Sequence, residues 1–281
     1  MTIFELKLHF QTELDAIYPK NEIESFYHIL TEFKLGLSRV DKALNPNKII
    51  DKDAIEFFKD SISLLYSEKP VQYITEETEF YSLPFKVNKN VLIPRSETEE
   101  LVSWVLESVL STKEISILDI GTGSGCIAIS LAKSLPNAKV TAIDFSEAAI
   151  EIAKKNAELN KVSIEFIKQD ILTMEYLPKN FDCIVSNPPY VRELEKEEIK
   201  KNVLSFEPHS ALFVADDNAL LFYTKISDLA KKHLKPNGEL FFEINQYLGK
   251  ETIKLLVEKG FTQNELKKDI FGNDRMTKSQ I

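Results

Sequence analysis

Three of the chain's eight glycines fall within five residues, Gly121-Thr122-Gly123-Ser124-Gly125, between an apolar run at 115–119 and a stretch of helical spacing at 125–134. Glycine reaches backbone conformations that other residues avoid and leaves no side chain to block a close approach. So dense a cluster points to a ligand-facing loop rather than a merely tight turn. The runs at 115–119, 139–143, 163–168, 181–186 and 239–244 are short, apolar and rich in isoleucine and valine. Helical stretches at 125–134, 147–159 and 218–234 lie between some of them. Near-continuous apolar strands joined by helices predict a parallel sheet buried on both faces, with right-handed crossovers. In such an open α/β sheet, ligands bind outside the carboxyl ends of the strands, where the strand order switches. The glycine turn stands at one such end. A helix over 248–259 and two weaker strands near 261–267 and 275–281 follow, and the pair is expected to close the sheet as an edge hairpin.

The first 68 residues read differently. Ile3, Phe4, Leu6, Phe10, Leu14 and Ile17 keep one helical face before Pro19. Asn21 with Glu24 resembles a capping box for a second helix carrying Ile23, Phe26, Ile29, Leu30 and Phe33. A third helix is predicted over 53–68, stopping before Pro70. This part holds no glycine-rich loop or catalytic cluster, and is expected to recognise something rather than react with it. From 71 to 94 short β segments follow, at 72–74, 79–81, 85–87 and 91–94, with Pro84, Asn88 and Asn90 as turn residues. They predict a hairpin linking two domains. A helix over 97–110 then carries Trp104 on its apolar side. The expected organisation is therefore 1–70 helical, 71–95 a β-hairpin linker and 96–281 the α/β domain.

A chain of 281 residues can bury a sizeable core without disulfide or metal staples. Its two cysteines, Cys126 and Cys183, each sit in an apolar run and read as buried inert thiols. Four scattered histidines make no zinc cluster, so no metal is expected. The N-terminus offers early carboxylates and no long apolar run, hence neither a signal peptide nor a membrane span, and a cytoplasmic protein is expected. Net charge is −9 and spread along the chain. Proteins that hold a nucleic-acid backbone usually carry a basic stripe, because phosphate contacts supply most of that affinity. Here the lysine pairs at 154–155, 200–201, 231–232 and 267–268 lie near acids on predicted surfaces. No direct nucleic-acid binding and no membrane contact are expected, and a monomer is the expected state.

The chemistry is carried by two motifs. Asp144 ends the strand after the glycine loop, where a carboxylate can accept hydrogen bonds from both hydroxyls of a ribose. The loop alone is ambiguous with a nicotinamide-binding fingerprint. Two details argue against that fingerprint: the spacing is Gly-x-Gly-x-Gly, and an acid, Asp119, precedes the loop. A carboxylate there would repel pyrophosphate but suits a cationic sulfonium cofactor bearing an ammonium group. The second motif, Asn187-Pro188-Pro189-Tyr190, follows the strand at 181–186. Prolines fix φ and have no N–H, so their carbonyls are free to face a ligand. The Asn187 side-chain oxygen and the Pro188 carbonyl can accept both hydrogens of an NH₂ group, and Tyr190 offers a flat face to a planar amide or base. An amide nitrogen is a poor nucleophile, because its lone pair is delocalised into the carbonyl. Acceptors on both N–H groups raise its electron density, and they strengthen as positive charge develops on nitrogen. A plain Asn-Pro-Pro turn is the alternative, and its place at the end of a buried strand speaks against it.

With these residues in view, the chain resembles the HemK family, the release-factor glutamine methyltransferases. The likeness covers most of residues 70–281. It rests on Pro70-Val71-Gln72-Tyr73-Ile74, Glu79-Phe80-Tyr81, the run 91–99, the loop 119–125, Asn187 to Tyr190, Phe206-Glu207-Pro208 with Ala211-Leu212, and Gly272-Asn273-Asp274-Arg275. The N-terminal 68 residues match in helical character and length only. The resemblance implies an α/β fold, a seven-stranded Rossmann-like methyltransferase sheet behind a small N-terminal helical domain. It implies methyl transfer from S-adenosylmethionine to the side-chain nitrogen of the glutamine in the Gly-Gly-Gln tip of class I peptide release factors. It places Gly121, Thr122, Gly123, Gly125, Asp144, Asp170, Ile171 and Asn187 around the cofactor, and Asn187, Pro188, Pro189 and Tyr190 around the glutamine amide. Asp170 also reads as a strand-end cap. Ser96 stands where many members have proline, and Ile171 where some have tryptophan against the adenine. Neither departure removes a group the reaction needs.

Rival readings each leave something unexplained. Methylation of an exocyclic base amine would use the same tetrapeptide, but the acidic balance and the segment Pro94-Arg95-Ser96-Glu97-Thr98-Glu99 argue against it. A sister enzyme acting on a ribosomal-protein glutamine usually lacks the Glu-Thr-Glu run. An NAD-dependent oxidoreductase needs the other glycine spacing and gives Asn187 to Tyr190 no role. A non-catalytic binding module leaves both motifs idle.

Overall fold

The computed structural model describes residues 1–109 and 114–281, and the chain divides into two compact units. The first contains Met1–Glu76 and Lys200–Phe206; the second contains Glu77–Ile199 and Glu207–Ile281.

The first unit is built from α1 (Ile3–Leu14), α2 (Lys20–Leu35), α3 (Arg39–Leu44), α4 (Lys52–Tyr66) and α5 (Val71–Thr75), with the later helical turn Lys201–Phe206. Thr2 and Glu5 form a capping box at the head of α1, and Ser38 and Asp41 another at α3. The box expected at Asn21 and Glu24 does not form. Pro19, whose fixed φ suits a helix entry, is the N-cap residue, and Glu24 instead takes a hydrogen bond from Lys7 at 2.8 Å. Leu6, Phe10 and Leu14 of α1 meet Leu30, Phe58 and Leu65 in one core. Phe4, Ile29 and Phe33, expected on the inner faces, are exposed. The stripes that are buried run through 3, 6, 10 and 14 and through 23, 26, 27 and 30, and helical geometry turns the other three away. The segment 72–74, expected as β, is helical in α5: Val71 joins the core and Ile74 packs against it.

The second unit opens with an antiparallel hairpin, β1 (Glu77–Phe80) and β2 (Leu83–Lys86), and helix α6 (Ser96–Ser108). The expected strand at 91–94 does not form, the segment being irregular chain, and Leu110, expected to end the helix, lies outside the described residues. Then come β3 (Ser116–Ile120), α7 (Cys126–Ser134), β4 (Lys139–Asp144), α8 (Glu147–Asn160), β5 (Glu165–Lys168) and β6 (Phe181–Ser186). Between 191 and 214 the chain forms a short parallel pair, β7 (Val191–Arg192) and β8 (Phe213–Val214), separated by 3₁₀ turns and by α9 (Lys201–Phe206) of the first unit. The remainder is α10 (Leu221–His233), β9 (Leu234–Glu243), α11 (Gly249–Glu258), β10 (Thr262–Lys268) and β11 (Asp274–Gln280).

Seven strands form one sheet in the order β10-β11-β9-β6-β3-β4-β5. It is parallel from β9 to β5, and β11 runs antiparallel to both β9 and β10. Period-two alternation divides the core: Ile117 and Phe241 face one side, and their neighbours Leu118 and Phe242 the other. Trp104 of α6 meets Phe241 edge-on at 5.7 Å. From β3 the chain extends the sheet outward through β4 and β5, then returns to place β6 on the other flank of β3. The carboxyl ends of β3 and β6 are thus the switch point where a ligand crevice is expected. Among the described residues no helix is long and apolar enough to cross a membrane.

Candidate active site

The glycine loop is held from three directions. The Gly121 and Thr122 amides both donate to the Ile143 carbonyl at 2.8 and 3.0 Å, tying the loop to β4. Beneath it Asp119, fully buried, accepts the Thr122 hydroxyl at 2.6 Å on Oδ2, while Oδ1 has no partner. Burial pushes this carboxyl up to about 7, against the pull of the Thr122 hydroxyl. From the side Asp144 accepts the Gly123 amide on Oδ2 and the Ser146 amide on Oδ1, each at 2.9 Å, and burial raises its carboxyl as well.

The glycines are not equivalent. Gly121 and Gly123 have φ of 75° and 53° and face open space. A Cβ on Gly121 would come no nearer than 4.0 Å to the Asn187 carbonyl oxygen. Gly125, at φ 84°, has none of this room. A Cβ there would meet Ile129 Cδ1 at 2.9 Å and Ala153 Cβ at 3.2 Å, where α7 and α8 approach each other. Asn156 of α8 braces the same region: its Nδ2 donates to the Ser124 and Lys86 carbonyls, each at 2.9 Å, and its Oδ1 accepts the Lys86 amide at 2.6 Å.

The second corner stands at the end of β6. Ser186 donates to the Ile120 carbonyl at 2.7 Å, joining the two strand ends at the switch point. Asn187 Nδ2 donates to Thr98 Oγ1 at 3.3 Å, and the Thr98 hydroxyl donates to Glu243 Oε2 at 2.6 Å. The Tyr190 hydroxyl donates to the other oxygen, Glu243 Oε1, at 3.1 Å. Glu243 is fully buried at the end of β9. Burial raises its carboxyl, while the Thr98 hydroxyl, the Arg275 guanidinium and the Tyr190 hydroxyl hold it down. Nearby, Arg95 meets Glu207 at 2.6 Å, and Glu207 also accepts the Ile93 amide, fastening the 91–95 segment beside the cleft.

One cleft joins both corners. Gly121, Thr122, Gly123, Asp144, Asp170, Ile171, Asn187, Pro188 and Pro189 all line it, as do Thr98, Phe145 and Gln169. Asp170 also accepts the Leu172 amide at 2.9 Å, capping its own turn from the wall of the cleft. Two expected residues stand outside the lining. Gly125 lies at the α7–α8 crossing, and Tyr190 packs on the core with its hydroxyl on Glu243 rather than presenting a free face.

The sequence assigns no site role to Glu243 or to Asn245, whose Nδ2 donates to the Tyr190 carbonyl at 2.9 Å, and Thr98 enters it only as part of the run 91–99. The signal for Glu243 was a carboxylate closing an apolar strand, since a buried acid must find donors. Among the described residues no group of three or more His, Cys, Asp or Glu could hold a metal ion.

Residues 111–278 match a family model described as a methyltransferase domain. The release factor glutamine methyltransferase of Flavobacterium psychrophilum is 55% identical over 281 residues, covering 99% of each chain. That of Bacteroides thetaiotaomicron is 40% identical over 269 residues, covering 95% of this chain and 96% of the relative. A solved methyltransferase from Pyrococcus furiosus, 18% identical, covers 79% of this chain and 98% of its own with a TM-score of 0.51, a likeness of fold. A glycine-cradled cleft on a seven-stranded sheet, matched at this identity over nearly every residue, places the chain in the release factor glutamine methyltransferase family.

Proposed function

We propose that this chain transfers a methyl group from S-adenosylmethionine to the side-chain amide nitrogen of the glutamine in the Gly-Gly-Gln motif of class I peptide chain release factors. The observation that carries the reading is the nearness of Gly121 to Asn187, which sets a cofactor cradle and an amide-binding corner in one cleft.

The residues fit the cofactor. Gly121 and Gly123 leave the space that a Cβ would fill, and the acids Asp144 and Asp170 suit a cation. Each Asp144 oxygen spends one lone pair on a backbone amide and keeps another for a ribose hydroxyl. Ile171 gives the adenine an apolar wall, and Thr122 lines the cleft from within the loop. When bound, S-adenosylmethionine supplies an electrophilic methyl group on a sulfonium centre. Because the Asn187 NH₂ is committed to Thr98, its Oδ1 is the end left for substrate. Oδ1 and the Pro188 carbonyl accept the two N–H hydrogens of the glutamine and hold its nitrogen with the lone-pair face toward the methyl donor. Pro189 fixes the backbone of this corner, and Tyr190 supports it through Glu243. Orientation of this kind is worth roughly 7–11 kcal/mol in favourable cases. No strong base is required, since the amide proton leaves after transfer. The helical unit is proposed to recognise the release factor, and the protein to work as a cytoplasmic monomer.

Incubation with isotopically labelled cofactor and a purified release factor, followed by peptide mass mapping, tests the assignment. The label is expected on the Gly-Gly-Gln glutamine alone; label on RNA, or on another protein residue, would refute it.

A further inference from the structure

We infer that Glu243, acting through Thr98, decides which end of the Asn187 side chain faces the substrate. It is thus a positioning residue for the transfer reaction. The inference rests on the proposed role of Asn187 as an acceptor.

The two ends of a carboxamide have nearly the same shape and opposite hydrogen-bonding sense. If the NH₂ end faced a substrate NH₂, donors would confront donors, and the substrate hydrogen not taken by the Pro188 carbonyl would have no acceptor. Something must therefore specify the orientation. An ionised carboxylate only accepts, so the single Thr98 hydroxyl hydrogen is committed to Glu243 Oε2 at 2.6 Å. The Thr98 oxygen then presents only lone pairs to Asn187, and only the Nδ2 end suits it, at 3.3 Å. Tyr190 occupies Glu243 Oε1 at 3.1 Å, so both carboxylate oxygens have donors. The hydrogen-bond chain from Glu243 to Asn187 therefore has one polarity, with Oδ1 as its outward end.

Protonation of Glu243 reverses this logic. A carboxylic acid can donate to Thr98, whose own hydrogen is then released toward Asn187. The amide turns its oxygen inward to receive it and presents NH₂ to the cleft. The groups around Glu243 are Thr98 and Glu97 on α6, Cys126 on α7, Tyr190 after β6, Tyr223 on α10 and Arg275 on β11. Arg275 favours the charged form of this carboxyl; burial and Glu97 oppose it.

The test compares four variants of the full chain with a purified release factor, measuring kcat, KM, cofactor binding and melting temperature. Thr98→Val keeps the shape and cuts the chain, and is expected to lower kcat about tenfold or more while leaving cofactor binding and KM within about twofold. Thr98→Ser restores the hydroxyl and is expected to return kcat to near the wild-type value. Wild-type kcat is expected to fall on acidification with the titration of Glu243, and this limb is expected to vanish in Thr98→Val. Unchanged kcat in Thr98→Val, equal impairment of the Val and Ser variants, or persistence of the acid limb would each overturn the inference. Should Thr98→Val fail to fold, Glu243→Gln carries the test: it removes the titrating group, so an acid limb surviving in it is a refutation. Asn187→Ala separates the two levels. Full activity in that variant defeats the reading of the site itself, whereas an inactive Asn187→Ala beside a fully active Thr98→Val defeats only the positioning role.

Discussion

Asn187 and Asp119 show how differently two residues of one site depend on their surroundings. Asn187→Ala removes an acceptor that gains strength as charge develops on the substrate nitrogen. It is expected to fold, bind cofactor and lose about a hundredfold or more in kcat, checked by single-turnover methyl transfer. Asp119 affects stability through titration. Its folded value of about 7 lies above the ordinary 3.8, so the folded protein binds this proton more tightly than the unfolded chain does. The stabilising contribution is full below the ordinary value and is lost as pH rises through about 7, an effect on the order of 4 kcal/mol. Asp144 and Glu243, also raised by burial, act in the same sense. Denaturant unfolding is expected to show the wild type more stable at pH 6 than at pH 8, with a smaller difference in Asp119→Asn; an identical pH dependence in the variant would count against it. The loop glycines separate in the same way. Gly125→Ala is expected to cost about 1–3 kcal/mol of stability through its left-handed φ and the contact with Ile129. Gly123→Ala, with nothing within 4 Å, is expected to cost less stability and to weaken cofactor binding measured by calorimetry. The chain's residues announced the glycine loop, Asp144 and Asn187. The distinction between Gly125 and its neighbours depends on the α7–α8 approach, which no local pattern encodes.

At the scale of elements, the central strands of the parallel sheet were readable because β3, β4, β6 and the end of β9 are buried on both faces and so nearly continuous in apolar residues, whereas the edge strand β5 is only half-buried. The misread elements share another cause. Residues 72–74 combine an aromatic and a β-branched side chain, which favour strands on propensity, yet packing on the helical core makes them a helix. The stretch 191–214 has no periodicity to read; the Glu195 carboxylate that binds Arg192 within it is also held by the distant Asn245. The hairpin of β1 and β2 looked like a linker, and its attachment could not be foreseen from Asn156 on a helix surface. That side chain satisfies the Lys86 amide and carbonyl and the Ser124 carbonyl at once. Asn156→Ala is expected to destabilise the protein by about 2–5 kcal/mol, because buried backbone groups lose their partners. Hydrogen exchange at Lys86 is the local readout, and protection unchanged there would contradict the bracing role.

For the whole molecule, the two units differ in what they hold. The second unit carries the entire cleft, every lining residue included. Deleting residues 1–68 is therefore expected to spare cofactor binding by the remaining chain and to impair methylation of an intact release factor. Normal methylation by the truncated protein would remove the recognition role. The boundary itself is less simple than the sequence suggested, because Lys200–Phe206 returns to the helical unit after the chain has built most of the parallel sheet. Synthesis from the N-terminus therefore delivers the opening helices long before their last companion, and that unit waits unfinished while the strands of the other emerge. A nascent chain halted before residue 200 lacks the last helical turn of its first folded body, and a protease acting on such chains should distinguish them from those released after Phe206.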